Sequence, residues 1–105
     1  MSLEIERATS AGVTTITVRG EVDLYTSPDL RSAIMDAVPG TPGGLELDLG
    51  GVDYMDSSGV ATLVEGFKRS RELGKTFALI SPSRSVMKVL ELTRLDAIFE
   101  IRQAR

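Results

Sequence analysis

Apolar and polar positions alternate along the first twenty residues and then give way to a longer period. "LEIER" sets Leu3 and Ile5 on one face, and "VTTITVRG" sets Thr14, Ile16 and Val18 against Thr15, Thr17 and Arg19. A period of two marks a half-buried strand, so two β-strands, arranged as a hairpin, are expected to open the fold. In "TSPDLRSAIMDAV" the apolar residues Leu30, Ile34 and Val38, with Ala33 and Ala37, recur at helical spacing. Thr26 or Ser27 is placed to cap this helix, Pro28 suits its first position, and Asp29 lies near the positive end of its dipole.

"PGTPGG" ends that helix, because proline removes a donor and glycine tolerates positive φ. "LELDL" then reads as a strand with Leu45, Leu47 and Leu49 on one face. After "DSSG" the period lengthens again: Val60, Leu63, Val64 and Phe67 form one stripe, charged residues fall elsewhere, and Gly74 suits the stop. "TFALI" is expected to be a strand. In "SPSRSVMKVLELT" Ser81 is read as the N-cap, with Pro82 just inside a short helix whose Val86, Val89 and Leu90 face the core. "AIFEI" supplies an edge strand through Ile98 and either Phe99 or Ile101. The resulting order is ββαβαβαβ, an α/β fold with a mixed sheet, in which alternating strands and helices favour right-handed parallel connections after the antiparallel start.

Composition narrows the chemistry. The 105 residues suit one domain, and 42% hydrophobic with 26% charged residues is an ordinary globular balance. A net charge of −3 with scattered Arg and Lys offers no basic stripe for a phosphate backbone, so no direct nucleic-acid partner is expected. The absence of Cys and His removes disulfides, thiolate nucleophiles, the usual zinc sites and the commonest general base. No apolar run reaches the length of a membrane span and the start lacks a signal-peptide core, so a cytoplasmic protein without membrane insertion is expected.

The stretch "YMDSSGVATLVEGF" places two hydroxyls and a glycine where a strand passes into a helix. Ser57 can serve as the N-cap of that helix, its oxygen accepting a backbone N–H. The same junction offers unpaired N–H groups and a positive dipole end, which tolerate a phosphate on the hydroxyl. Ser58 is read as a helper in the first turn. Gly59 either lets that turn pack closely or lets another molecule approach the backbone. Serine hydrolysis is disfavoured, since no His can take the proton of Ser57 and the GxSxG elbow is missing. "PGTPGG" and "LGG" lack the Gly-Lys-Ser/Thr signature of a phosphate loop. Asp23, Asp53 and Asp56 read as turn acids in preference to magnesium ligands, so neither metal nor cofactor is expected.

"GEVD" at Gly20 to Asp23 and "YMDSSG" at Tyr54 to Gly59, in that order, resemble the bacterial anti-sigma-factor antagonist family of small stand-alone STAS domains. The similarity covers almost the whole chain, residues 1–105 being expected to form one STAS domain. The resemblance implies that Ser57, directly after the motif aspartate, is the phosphoacceptor, flanked by Asp23 and Asp56, with Ser58 and Gly59 beside it. It also implies a non-enzymatic partner switch. The unmodified form binds an anti-sigma-factor serine kinase of the GHKL ATPase type and releases the sigma factor; phosphorylation ends the capture, and a metal-dependent serine phosphatase restores it. Two other roles within the same family are an accessory subunit of an ABC-type lipid transporter and a nucleotide-binding module.

Overall fold

The structure, a computed structural model, describes residues 3–103. Strand β1 (Leu3–Ser10) turns at Ala11 and Gly12, both with positive φ, into β2 (Val13–Val22). Helix α1 (Ser27–Ala37) closes with a 3₁₀ turn (Val38–Gly40), then β3 (Leu45–Met55) leads into α2 (Ser57–Glu72). Strand β4 (Phe77–Ile80), helix α3 (Arg84–Leu92), a 3₁₀ turn (Leu95–Ala97) and β5 (Glu100–Arg102) complete the chain. The five strands lie in the order β1-β2-β3-β4-β5, antiparallel for the first pair and parallel thereafter. This is the expected ββαβαβαβ order and mixed sheet.

The core follows the alternation. Ile16, Val18, Leu45, Leu47, Leu49 and Leu79 are buried on the sheet face that meets Leu30 and Ile34 of α1, Leu63 of α2, and Val86 and Leu90 of α3. Each such side chain contributes about 1.5–3 kcal/mol by leaving water. The other sheet face carries Glu46, partly exposed, which bonds Arg102 at 2.7 Å, and Arg19, which bridges Glu4 and Glu6. Gly66 lets α2 approach its neighbours: a Cβ there would stand 2.8 Å from Ile34 Cγ2 and 2.9 Å from Phe77 Cε1.

Several local expectations change. Helix α1 starts at Ser27, so Pro28 is its second residue, and the side chain of its N-cap, Thr26, makes no capping bond. The strand read as "LELDL" continues to Met55, because two irregularities in the β2–β3 register, one between the Thr17–Asp48 and Arg19–Gly51 pairs and one between the Gly20–Val52 and Glu21–Tyr54 pairs, carry the pairing on to Val22–Met55. Val52 and Met55 are again buried as a result. The N-cap of α3 is Ser83, not Ser81, and Pro82 precedes the helix. Ser83 Oγ accepts the Val86 N–H and donates to the Val52 carbonyl at 2.6 Å, fastening the helix start to the extended part of β3. At the last strand, Ile98 and Phe99 both precede the pairing, Ile98 exposed and Phe99 buried with its ring edge-on to Phe67, and of the expected residues Ile101 lies in the strand, opposite Leu79. No helix among the described residues is long and apolar enough to cross a membrane.

Candidate functional site

β2 and β3 run parallel and end side by side, Val22 opposite Met55, so the segments that follow them emerge at the same edge of the sheet. The Asp56 N–H donates to the Val22 carbonyl at 3.1 Å and ties the two exits together. Open parallel sheets place ligand and partner contacts at this carboxyl end of the strands, where the loops are free of the ladder.

Each exit is built around one aspartate. Asp23 Oδ1 accepts the N–H of Tyr25 at 2.9 Å and of Thr26 at 3.0 Å. Thr26 Oγ1 accepts the Asp23 N–H at 2.9 Å, donates to the Glu21 carbonyl at 2.7 Å and lies 3.2 Å from Asp23 Oδ1. Asp56 Oδ1 accepts the N–H of Ser58 at 2.9 Å and, more weakly, that of Gly59 at 3.4 Å, together with the Ser58 hydroxyl at 2.6 Å. In both loops a carboxylate oxygen takes the N–H groups two and three residues on, as short polar side chains do at turns and helix starts.

The cap of α2 is therefore Asp56, and Ser57 is the first helical residue. Asp and Ser are equally good caps, but only Asp56 has the extended φ and ψ, −106° and −169°, that a cap requires. Relieved of capping, the Ser57 side chain is exposed and its hydroxyl has no partner among the described residues. The Ser58 hydroxyl, by contrast, is committed to Asp56. Gly59 is buried, and a Cβ there would come within 2.6 Å of Met55 Cγ and 2.8 Å of Val22 Cγ1. Of the two readings of this glycine, the structure supports close packing of the helix turn.

A family model for the STAS domain matches residues 4–105. The chain belongs to the STAS domain family. Among relatives of this STAS domain, the anti-sigma-B factor antagonist of Listeria monocytogenes is 34% identical over 87 residues, 83% of this chain and 76% of that protein. An anti-sigma-factor antagonist (STAS) domain protein from Planctomyces limnophilus has a structure with a TM-score of 0.83 at 29% identity, covering 96% of this chain and 91% of that one. The corresponding values for an anti-sigma factor antagonist from Mycobacterium paratuberculosis are 0.87 and 27%, with 96% and 86% covered.

In the STAS domain the Ser58 hydroxyl, with the N–H groups of Ser58 and Gly59, holds the Asp56 carboxyl below the usual carboxylate range, although partial burial opposes the shift. Asp56 is thus an anion at neutral pH beside the free Ser57 hydroxyl. Asp23 lies in the adjoining loop, while Asp53 is exposed on β3 one residue before Tyr54. The residues that periodicity could not single out are Thr26, whose buried hydroxyl organises the first loop, and the exposed pair Leu24 and Tyr25. "VDLYT" contained the clue: two large apolar residues between turn-forming ones fit neither a strand nor a helix period.

Proposed function

We propose that this STAS domain is an anti-sigma-factor antagonist whose unmodified form captures an anti-sigma-factor serine kinase of the GHKL type, and that phosphorylation of Ser57 ends the capture. The exposed, unpartnered Ser57 hydroxyl beside the Asp56 cap carries this reading, and the names of the relatives support it. In the transfer step the Ser57 Oγ–phosphorus bond forms as the bond from the γ-phosphorus of ATP to its bridging oxygen breaks. The hydroxyl proton passes to a base on the kinase, and ADP leaves. A serine phosphatase hydrolyses the phosphoester and restores the hydroxyl.

The switch acts at the surface. Phosphoserine adds about −1.5 to −2 charges. The N–H groups of Ser58 and Gly59, which could have absorbed them, already serve Asp56. The new anion is left facing outward next to Asp56, towards the nucleotide phosphates of the kinase that made it. Desolvating it there unpaired costs several kcal/mol, and a loss of about 3 kcal/mol weakens binding more than a hundredfold. The core lies away from Ser57, so the domain keeps its fold.

The test incubates the protein with a GHKL-type anti-sigma-factor kinase and ATP, maps the phosphate by mass spectrometry, and titrates both forms with the kinase. Phosphate on Ser57, with an amide NMR spectrum altered only around Asp23 and Ser57 and much weaker binding, is expected. Phosphate on Ser58 alone, or undiminished affinity, refutes the proposal.

A further inference from the structure

The β2–α1 loop exposes two adjacent large apolar side chains, Leu24 at 68% and Tyr25 at 86% of their full accessibility, from a backbone held by Asp23 and Thr26. Exposed apolar residues on a loose loop would lose entropy on docking; here the loop is ordered in advance, which lowers that cost. Tyr54, 49% exposed, stands opposite Glu21 near the same strand ends.

Charge identifies the kind of surface that fits. Residues 20–30 and 52–64 contain Glu21, Asp23, Asp29, Asp53 and Asp56 and no Lys or Arg. None of these five takes part in an ion pair among the described residues, whereas Glu4, Glu6, Asp36, Glu46, Glu65, Glu72 and Glu100 all do. Of the ten acidic residues outside these two segments, intramolecular cations pair seven, Asp48, Glu91 and Asp96 being the others, whereas within the two segments none is paired among the described residues.

We infer that Leu24 and Tyr25 are the affinity anchors for the anti-sigma-factor kinase, entering an apolar pocket that the kinase rims with Arg or Lys side chains facing the acidic residues around them. This rests on the partner-switch reading, and it separates two tasks within one surface: the β2–α1 loop supplies attraction, and Ser57 supplies the interruption. A central apolar or aromatic anchor with a charged rim is the arrangement that concentrates binding energy at protein interfaces, and the rim charges chiefly set encounter rate and salt dependence.

Calorimetric titration against the purified GHKL-type anti-sigma-factor kinases of its own organism, each loaded with a non-hydrolysable ATP analogue, tests this. The intact protein should bind one of them. Leu24→Ala and Tyr25→Ala should each lose about tenfold or more in affinity while keeping the amide NMR spectrum of the folded domain. Leu92→Ala and Ile98→Ala, which truncate apolar residues 76% and 55% exposed elsewhere, should bind as the intact protein does. Added salt and Asp53→Asn should each weaken binding. If the intact protein binds and is phosphorylated on Ser57 but the Leu24 and Tyr25 variants bind undiminished, or the loss falls on the Leu92 and Ile98 variants, the anchors are refuted and the switch stands. Binding to none of the kinases overturns the switch and this inference with it.

Discussion

The β2–α1 loop and the β3–α2 junction use the same device to different ends. In each, the Oδ1 atom of an aspartate gathers the backbone N–H groups two and three residues on, and the residue directly after the aspartate stands exposed. That residue is Leu24 in one loop and Ser57 in the other. The hydroxyl that stabilises the aspartate also differs: Thr26 is buried and reaches back to Glu21, whereas Ser58 bonds only Asp56 through its side chain. A shared turn can thus display either an adhesive group or a modifiable one, its chemistry set by a single position.

The strongest challenge to this equivalence is steric, because the second turn sits so close to the strand ends that it takes glycine where the first takes Thr26. Gly59→Ala should destabilise the domain by about 1–3 kcal/mol in denaturant unfolding, since its Cβ meets Met55 and Val22. An unchanged midpoint would show that the second turn has as much room as the first, where the matching position accepts the Cβ of Thr26.

Next in size, Thr26→Ala leaves the Glu21 carbonyl and the Asp23 N–H without their side-chain partner, at a cost of about 1–2 kcal/mol. Ser58→Ala should cost less, about 0.5–1 kcal/mol, because it removes one hydrogen bond at a part-exposed site. Chemical denaturation of both variants measures the contrast, and equal losses would erase it.

A smaller effect is expected with acid. The folded-state carboxyl of Asp56 is held below its value of about 4 in an unfolded chain, so folding favours the ionised form. That contribution is complete above about pH 4 and is lost as the pH falls through the lowered folded value. Ser58→Ala removes the chief cause of the shift and should flatten this part of the stability-against-pH curve. Asp56→Asn keeps a cap acceptor but loses the ionised carboxylate, with a cost at neutral pH of about 0.3–1 kcal/mol. A steeper acid dependence in Ser58→Ala would contradict the assignment.

Element order and most of the core were legible because they depend on periodicity, which a chain carries within itself. The N-caps were less so. "DSS" and "SPS" each contain more than one competent cap, and tertiary bonds make the choice: Asp56 N–H to Val22 for the first, Ser83 Oγ to Val52 for the second. Gly50 and Gly51 resembled a strand end, and only the register against β2 shows the strand continuing to Met55. At the candidate site the motif pointed to Ser57, but the reason its hydroxyl is free lies in the backbone angles of Asp56, which no spacing rule reports.

The close seating of Gly59 against Met55 and Val22 has a consequence for timing. A helix start wedged against the ends of two strands cannot shift to accommodate a phosphate, so under the proposed switch no slow rearrangement stands between modification and effect. The molecule then stores its state in one phosphoester bond alone. Under that proposal, response and recovery follow the rates at which the kinase writes and the phosphatase erases.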